Sequence, residues 1–291
     1  MVQLLDADIK TRDVLTWKGI HVFHFFLSVC SQKLRIFLSL KGIPWESHPV
    51  DLFKNENMSD WFLGINPRGL VLVLVHNGAV HIESIDIITY LEQTFPRPRL
   101  IPSRYEGEIA TLLKHEDDLH LDVRTLSFRF VFAPPKPPKS SEDLKKYNAL
   151  GSGTVGGKKD AEIDKQIAFW SRLAEHGITD KEARASASKF RLAFDDLETR
   201  LTKQPYLFGD ALTVLDIAWF IYVDRLSLAA YPFARLHPRV ADWFAKLMER
   251  PEFAREIALP ASVSARFDAT RRAQAQAGKS LAMVAGFDRS S

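Results

Sequence analysis

The sequence predicts an α/β domain of order β-α-β-β-β-α followed by an all-α domain, and three patterns support this. Between Ile20 and Leu52 the apolar periodicity changes from that of a strand to that of a helix and back. An Asn-Gly pair between two short apolar runs then predicts a hairpin. From Arg104 onward, large apolar residues recur at helical spacing and indicate no strand pair. A length of 291 residues suits two domains of ordinary size.

The first half of the α/β domain reads as a strand, a helix and a second strand. Ile20 to Phe26 is rich in β-branched and aromatic residues, which favour a buried strand. Ser31 to Lys41 carries apolar side chains at i, i+3, i+4 and i+7, and Gly42 stands where a helix C-cap is expected. Trp45 to Leu52 predicts the second strand, parallel to the first.

The second half of this domain reads as a hairpin and a closing helix. Asn77-Gly78 lies between the strand-like runs Leu70 to Val75 and Ala79 to Ile82. A helical stripe follows and ends before Pro96 and Pro98. We therefore expect an N-terminal extension over 1–19 and the α/β domain over 20–98.

The all-α domain is expected over 99–260, as a bundle of helices. Two apolar stripes carry this prediction, namely Phe190, Phe194, Leu197 and Leu201, and Val240, Trp243, Phe244, Leu247 and Met248. A Pro/Lys run and a Gly run predict a mobile insertion at about 133–160. The tail over 261–291 has few large apolar residues, which predicts loose order, with a short packed helix as the alternative.

Composition argues against several classes of partner. A formal net charge of +3 is too small to predict nucleic-acid binding. No apolar run reaches the roughly 20 residues of a membrane helix, and the N-terminus does not resemble a secretory signal. The single cysteine, Cys30, agrees with a reducing compartment, so we expect a cytoplasmic protein. No metal site is expected, since His21 and His24 point to opposite faces of their strand.

Four local sequences follow one another between about Ile20 and about Pro260. They are Ser28 to Arg35, Asn66 to Val71, Glu83-Ser84, and Thr213 to Ala218, a T-x-x-D capping box. In this order they resemble the S-x-x-S-Q-K-V-R segment, the N-P-x-G-x-V loop, the E-S pair and the capping box of the glutathione transferase superfamily, whose first domain is thioredoxin-like. The resemblance implies that glutathione is bound.

The resemblance also implies which residues form the site. A hydroxyl at a helix N-terminus, from Ser28 or Ser31, would stabilise the glutathione thiolate. Glu83 and Ser84 would bind the glutamyl end of glutathione, with Ser84 at the N-terminus of a helix. Cys30 lies two residues past the matching catalytic position, and a buried cysteine usually behaves as a small apolar residue.

Leu72 departs from the family pattern, which has a cis-proline after Val71. A cis bond before a residue other than proline costs roughly 2.5–4 kcal/mol, so the sequence predicts a trans Val71–Leu72 bond. The backbone of these two residues would then no longer present its hydrogen-bonding groups to glutathione in the usual direction. Weak binding of glutathione is the expected consequence.

Two subgroups of the superfamily share further segments with this sequence. Ser59 to Phe62 with Ile65 to Gly69 resembles bacterial glutathione-dependent β-etherases, which cleave aryl ethers of lignin-derived dimers. The same segments, together with Tyr90 to Phe95 and the long insertion, also resemble ganglioside-induced differentiation-associated proteins, but their C-terminal membrane anchor is not expected here.

The etherase resemblance implies that glutathione thiolate attacks the carbon that bears a phenoxy group and expels a phenolate. The aromatic substrate would lie against the helical domain, where Phe128, Phe130 and Phe132 are candidates either for a pocket or for core. The alternative is a catalytically degenerate subunit that stabilises an active glutathione transferase partner. We therefore expect a homodimer or a heterodimer with such a chain.

Overall fold

The computed structural model describes residues 2–134, 138–149 and 153–288. The chain divides into two compact units. The first unit comprises Met1–Pro98 and Lys136–His176, and the second comprises Arg99–Pro135 and Gly177–Ser291. The segment 136–176, which the sequence assigned to the helical domain, thus belongs to the α/β unit.

A mixed sheet of five strands, in the order β1-β5-β4-β2-β3, forms the centre of the first unit. Only β2 and β3 are parallel, and the other pairs are antiparallel. The strands are β1 (Val2–Gln3), β2 (Ile20–His24), β3 (Glu46–Pro49), β4 (Val73–His76) and β5 (Ala79–Ile82). The helices between and after them are α1 (Val29–Lys41), α2 (Asp60–Ile65) and α3 (Ser84–Thr94).

The thioredoxin-like order predicted for this unit is confirmed, with two additions. The helix α2 lies between β3 and β4, and β1 extends the sheet by pairing with β5. The predicted Asn77-Gly78 turn joins β4 to β5, and both of its residues have positive φ, as a type I′ hairpin requires. Gly42 ends α1 with φ of 63°, the left-handed C-cap that its position predicted.

The N-terminal extension completes the core on one face of the sheet. Leu4, Ile9 and Val14 pack there against Phe23 of β2 and Phe62 of α2. Alternation along the strands sends the buried Val22 and Leu74 to the opposite face. The first 19 residues are therefore part of the unit rather than an appendage to it.

The insertion predicted as a mobile loop contains regular structure, which corrects that prediction for its described residues. It forms α6 (Ser141–Ala149) and the hairpin of β6 (Thr154–Val155) and β7 (Lys158–Lys159), and α7 (Glu162–His176) follows it. Leu144 and Tyr147 of α6 are buried against Met58 and Leu63. The glycine run supplies the hairpin turn, since Gly156 and Gly157 both have positive φ. Residues 135–137 and 150–152 of the predicted loop lie outside the described residues.

The buried carboxylate of Asp8 anchors the hairpin to the N-terminal extension. It accepts hydrogen bonds from the Thr154 hydroxyl at 2.6 Å and from the Gly156 and Gly157 amides at 2.8 and 3.3 Å. The Leu5 amide donates to it at 3.0 Å. Burial raises the pKa of Asp8, but these hydrogen bonds outweigh burial and leave the pKa below its usual value.

The second unit is all-helical, which confirms the predicted class. Its central helix is buried on every side from Val214 to Leu226. The Thr213 and Asp216 capping box begins that helix, and the Asp216 carboxylate also accepts from the Trp243 indole at 3.0 Å. The helices are α4 (Glu106–Asp117), α5 (His120–Leu126), α8 (Asp180–Arg200), α9 (Val214–Leu228), α10 (Phe233–Leu236), α11 (Pro238–Met248), α12 (Pro251–Ile257), α13 (Ala261–Gln276) and α14 (Leu281–Ala285).

The tail predicted as loosely ordered is helical through α13 and α14, which corrects the prediction as far as residue 288. Its two phenylalanines are buried: Phe267 contacts Phe132, and Phe287 contacts Tyr231. The Arg184 side chain also donates to the Val284 carbonyl at 2.9 Å. A few buried apolar side chains and one hydrogen bond therefore order this largely polar segment.

No helix in the described part of the chain is both long and apolar enough to cross a membrane.

Replacing Asp8 with Asn should release the hairpin of β6 and β7. The substitution turns an amide donor toward backbone N–H groups and removes charge-assisted hydrogen bonds worth about 1.5–3 kcal/mol. Limited proteolysis with mass spectrometry should then show earlier cleavage within 153–160. Asp13→Asn, at an exposed aspartate of the same extension, is the matched control and should leave the pattern unchanged. Equal cleavage in both variants would contradict the anchoring role.

Candidate functional site

Three segments meet at one end of the central sheet. The strand register pairs Phe23 with Val73 and Val73 with Ile82. The end of β2, the start of β4 and the end of β5 therefore lie side by side. Ser28 follows β2, Leu72 precedes β4, and Glu83 follows β5. The topology thus places the predicted site segments at a common edge.

Ser28 is the N-cap of α1 and is partly exposed. Its backbone is extended, and its hydroxyl oxygen accepts a hydrogen bond from the Ser31 amide at 3.3 Å. Because the oxygen acts as the acceptor in this contact, the hydroxyl proton can still be donated to a ligand. The positive end of the helix dipole lies at the same point. This arrangement suits an anion next to Ser28.

Ser31 has a different environment, although the sequence left the two serines equivalent. Its side chain is fully buried, and its hydroxyl oxygen accepts from the Phe25 amide at 3.3 Å. The hydroxyl therefore ties the β2–α1 connection to the first turn of the helix. Cys30, between the two serines, is partly exposed.

Arg35 of α1 holds the same connection from its other side. Its guanidinium donates to the carbonyls of Phe25 and Phe26 at 3.3 and 3.2 Å and to Nδ1 of His24 at 2.9 Å. Burial, followed by the charges of Arg35 and His48, lowers the pKa of His24 to about 4. His24 is thus neutral at pH 7, the form that can accept from Arg35.

The loop before β4 is fixed by two asparagines. The Asn66 side chain donates to the Leu70 carbonyl at 2.8 Å and accepts from the Arg68 amide at 3.0 Å. Asn57 donates to the Gly69 carbonyl at 2.6 Å. Gly69 has φ of +59°, and a Cβ there would approach Tyr147 to 2.9 Å, so only glycine fits.

The Val71–Leu72 peptide bond is cis, which corrects the predicted trans bond. The cost used for that prediction applies to an unconstrained peptide. In the folded chain, the Asn66 side chain donates to the carbonyl of Leu70, the residue before Val71. Leu72 is buried immediately before β4. The expectation of weak glutathione binding, and with it the main ground for a degenerate subunit, rested on the trans bond.

Arg68 lies at the centre of an ion-pair network that the sequence did not reveal. Its guanidinium binds both carboxylate oxygens of Asp160, at 2.7 and 2.8 Å, and also contacts Glu83. Burial lowers the pKa of Arg68, but the two carboxylates outweigh burial and raise it above its usual value. The Tyr147 hydroxyl donates to the Arg68 carbonyl at 2.5 Å. The insertion therefore supports the loop through Asp160 and Tyr147.

Glu83 and Ser84 begin α3 at the same edge of the sheet. Glu83 has φ of 70°, a rare value for a residue with a side chain, and its side chain is 45% exposed. Ser84 is the first residue of the helix and is buried. The resemblance assigns a carboxylate of glutathione to the backbone amides of this first turn, and that assignment stays a prediction.

The predicted aromatic candidates belong to the second unit. Phe130 is 1% exposed and is a core residue. Phe128 and Phe132 are partly buried and contact one another edge to face, with ring centroids 5.2 Å apart. The tail residue Phe267 also packs against Phe132.

Two segments of the chain match models of the same family. Residues 27–94 match the glutathione S-transferase N-terminal domain, and residues 167–246 match the glutathione S-transferase C-terminal domain. Protein LigF of Sphingobium sp. (strain NBRC 103272 / SYK-6) is 29% identical over 223 residues, which cover 72% of this chain and 82% of LigF. The crystal structure of LigF, a β-etherase, aligns with a TM-score of 0.69 and 26% identity over 82% of this chain and 98% of LigF.

Other relatives are more similar over shorter stretches. Glutathione S-transferase 1 of Dianthus caryophyllus is 47% identical over 81 residues, or 28% of this chain and 37% of that protein. Maleylpyruvate isomerase of Ralstonia sp is 41% identical over 86 residues, or 30% of this chain and 41% of that protein. The chain thus spans less than half the length of these two relatives.

The pKa of His24 predicts a loss of stability in mild acid. The unfolded chain protonates His24 near pH 6.5, whereas the folded chain resists protonation down to about pH 4. The contribution of His24 is therefore complete above about pH 6.5 and is lost as the pH falls toward 4. In His24→Gln, chemical unfolding should show a smaller loss of stability between these pH values. His176→Gln, at an exposed histidine, should keep the slope of the wild type. A wild-type slope in His24→Gln would contradict the assignment.

Proposed function

Because the chain belongs to the glutathione transferase superfamily, we propose that it is a glutathione-dependent β-etherase acting on aromatic dimers of the lignin type. The observation that carries this proposal is the partly exposed Ser28 hydroxyl at the N-terminus of α1, beside the segments of Leu72 and Ser84. Similarity to LigF over most of both chains supports the reaction class.

Ser28 would stabilise the thiolate of glutathione. The reference thiol pKa is roughly 8.5, and a lowering of about two units requires about 2.7 kcal/mol of preference for the thiolate. One charge-assisted hydrogen bond together with the helix dipole supplies this amount. Ser31 is excluded from direct contact with glutathione in this proposal because its hydroxyl is buried and bonded to the Phe25 amide.

The remaining site residues would hold glutathione, which is a second substrate rather than a resident cofactor. The Ser84 amide and hydroxyl would bind the glutamyl carboxylate, and the Glu83 carboxylate would bind the glutamyl ammonium. The backbone of Val71 and Leu72 would pair with the cysteinyl part. Arg68 would act as a positioning residue, because its ion pair orients the Glu83 side chain.

In the proposed reaction, the thiolate attacks the carbon that bears the phenoxy group. A carbon–sulfur bond forms, the carbon–oxygen bond breaks, and the electron pair leaves with the phenolate. The products are a glutathione thioether and a phenol after protonation. We further propose that the active species is a cytoplasmic dimer, whether a homodimer or a heterodimer with another glutathione transferase chain.

Similarity to maleylpyruvate isomerase favours a second reaction class, the isomerisation of maleylpyruvate. A direct comparison separates the two classes. The purified chain with glutathione is given a β-aryl ether dimer or maleylpyruvate, and release of phenol or isomerisation is followed. We expect phenol release from the ether. Turnover of maleylpyruvate alone would assign the chain to the isomerases.

Ser28→Ala should lower turnover by roughly 10²–10³-fold, the scale for removal of one donor to a developing or bound anion. Ser31→Ala should retain turnover to within a few fold, because the buried hydroxyl only supports the loop. Steady-state kinetics with saturating glutathione provide the measurement.

A second serine controls for the loss of a helix cap. Ser59 caps α2 as Ser28 caps α1, with its side chain accepting from the Phe62 amide at 3.2 Å. Ser59→Ala should therefore lose a cap of the same kind without losing turnover. Equal losses in Ser28→Ala and Ser59→Ala would show that capping, rather than thiolate binding, explains the effect.

A further inference from the structure

Three metal-binding side chains converge from the two parallel strands at the edge of the sheet. The register pairs His21 of β2 with Glu46 of β3, and it pairs Phe23 with His48. Glu46 and His48 are two residues apart on one strand and so project from the same face. His21 projects from that face of the neighbouring strand. Among the described residues, one ligand atom from each of the three lies within 4.8 Å of the other two.

The distances suit a shared ion. Nδ1 of His21 is 3.0 Å from Nε2 of His48 and 3.4 Å from Oε2 of Glu46. Two ligands about 2.1 Å from a tetrahedral zinc ion are separated by about 3.4 Å, so only small rotations of the side chains are needed.

The backbone fixes the ring nitrogen that His21 presents. Its Nε2 lies 2.8 Å from the Lys18 carbonyl oxygen, and a carbonyl can only accept, so Nε2 carries the proton. Nδ1 is therefore the ring nitrogen of His21 that faces His48 and Glu46 and that can donate a lone pair to a metal ion. A histidine ligand whose other nitrogen donates to a backbone carbonyl is the usual arrangement around protein metals.

We propose that His21, Glu46 and His48 form a binding site for a divalent transition metal, with Zn²⁺ as the ion that suits them best. Two imidazoles and one glutamate are the protein ligands of a common class of zinc site, in which water takes the fourth position. Glu46 is 71% exposed, which keeps the site open to that water. Nitrogen ligands disfavour Mg²⁺ and Ca²⁺, which require oxygen.

An aromatic ring packs against the two histidines of the site. Trp17 covers the pair of histidines, with ring centroids 4.6 Å from His21 and 4.9 Å from His48. The ion would cross-link β2 to the edge strand β3. His21 lies near the beginning of β2 and Ser28 follows its end, so the site is separate from the proposed thiol site.

The test is calorimetric titration of the untagged, chelator-treated full chain with Zn²⁺ in the absence of glutathione. We expect one ion per chain and a melting temperature raised by bound zinc. His48→Gln and Glu46→Gln should each lower the affinity for Zn²⁺ by about 10-fold or more. Loss of a residue that contacts only a ligand of the metal already lowers the affinity by about 10-fold. Circular dichroism confirms that each variant is folded.

The control is His176→Gln, which removes a histidine that is paired with a carboxylate but exposed, 3.6 Å from Glu175. It should bind Zn²⁺ as the wild type does. Wild-type affinity in both His48→Gln and Glu46→Gln, or no binding by the wild type, would overturn the proposal. Equal binding of Mg²⁺ would also overturn it, because it would indicate surface carboxylates rather than imidazoles.

Copper provides an independent readout of position. Cu²⁺ binds nitrogen ligands more tightly than Zn²⁺ and quenches the fluorescence of nearby tryptophans. Because Trp17 contacts both histidine rings, part of the quenching should disappear in Trp17→Phe. Identical fractional quenching in the wild type and in Trp17→Phe would place the bound ion elsewhere and contradict the site.

Discussion

The guanidinium of Arg68 joins three parts of the first unit, and the proposed glutathione site depends on that junction. One side of the group is bound by both oxygens of Asp160 from the insertion, and another contacts Glu83 at the start of α3. Its backbone belongs to the loop before β4. A partly buried arginine that lost one of these carboxylates would keep its charge, so the other contacts would have to rearrange. The loop and the helix N-terminus are therefore positioned together.

The insertion is a structural support of the α/β unit. It binds Asp8 of the extension through the hairpin, and it supports the loop through Tyr147 and Asp160. The pair of Lys139 with Asn55 brings the segment before α6 to the same region. In each case a buried or partly buried polar group at one end of the contact is satisfied by a group distant in sequence. The composition of the insertion is thus compatible with order, because its large side chains Leu144 and Tyr147 are buried and most of its other residues are polar.

Local patterns predicted most of the fold, and contacts distant in sequence account for the misses. The β-α-β pattern, the Asn77-Gly78 hairpin and the Thr213 capping box depend on neighbouring residues, and each is present. Arg68 and Asp160 are 92 residues apart, and Asp8 and Thr154 are 146 apart, so no periodicity could reveal them. The difference between Ser28 and Ser31 depends on burial, and His21 meets His48 only through strand register. The motifs identified both serines as candidates, but they could not show that only Ser28 is partly exposed.

We propose that this chain itself binds glutathione and that the thiol is ionised beside Ser28. A pH titration of the ultraviolet thiolate absorbance of glutathione bound to the purified chain tests this. We expect saturable binding and a thiol pKa about two units below the reference value of roughly 8.5. Saturable binding with an unshifted thiol pKa, or no thiolate band that depends on the protein, would contradict it.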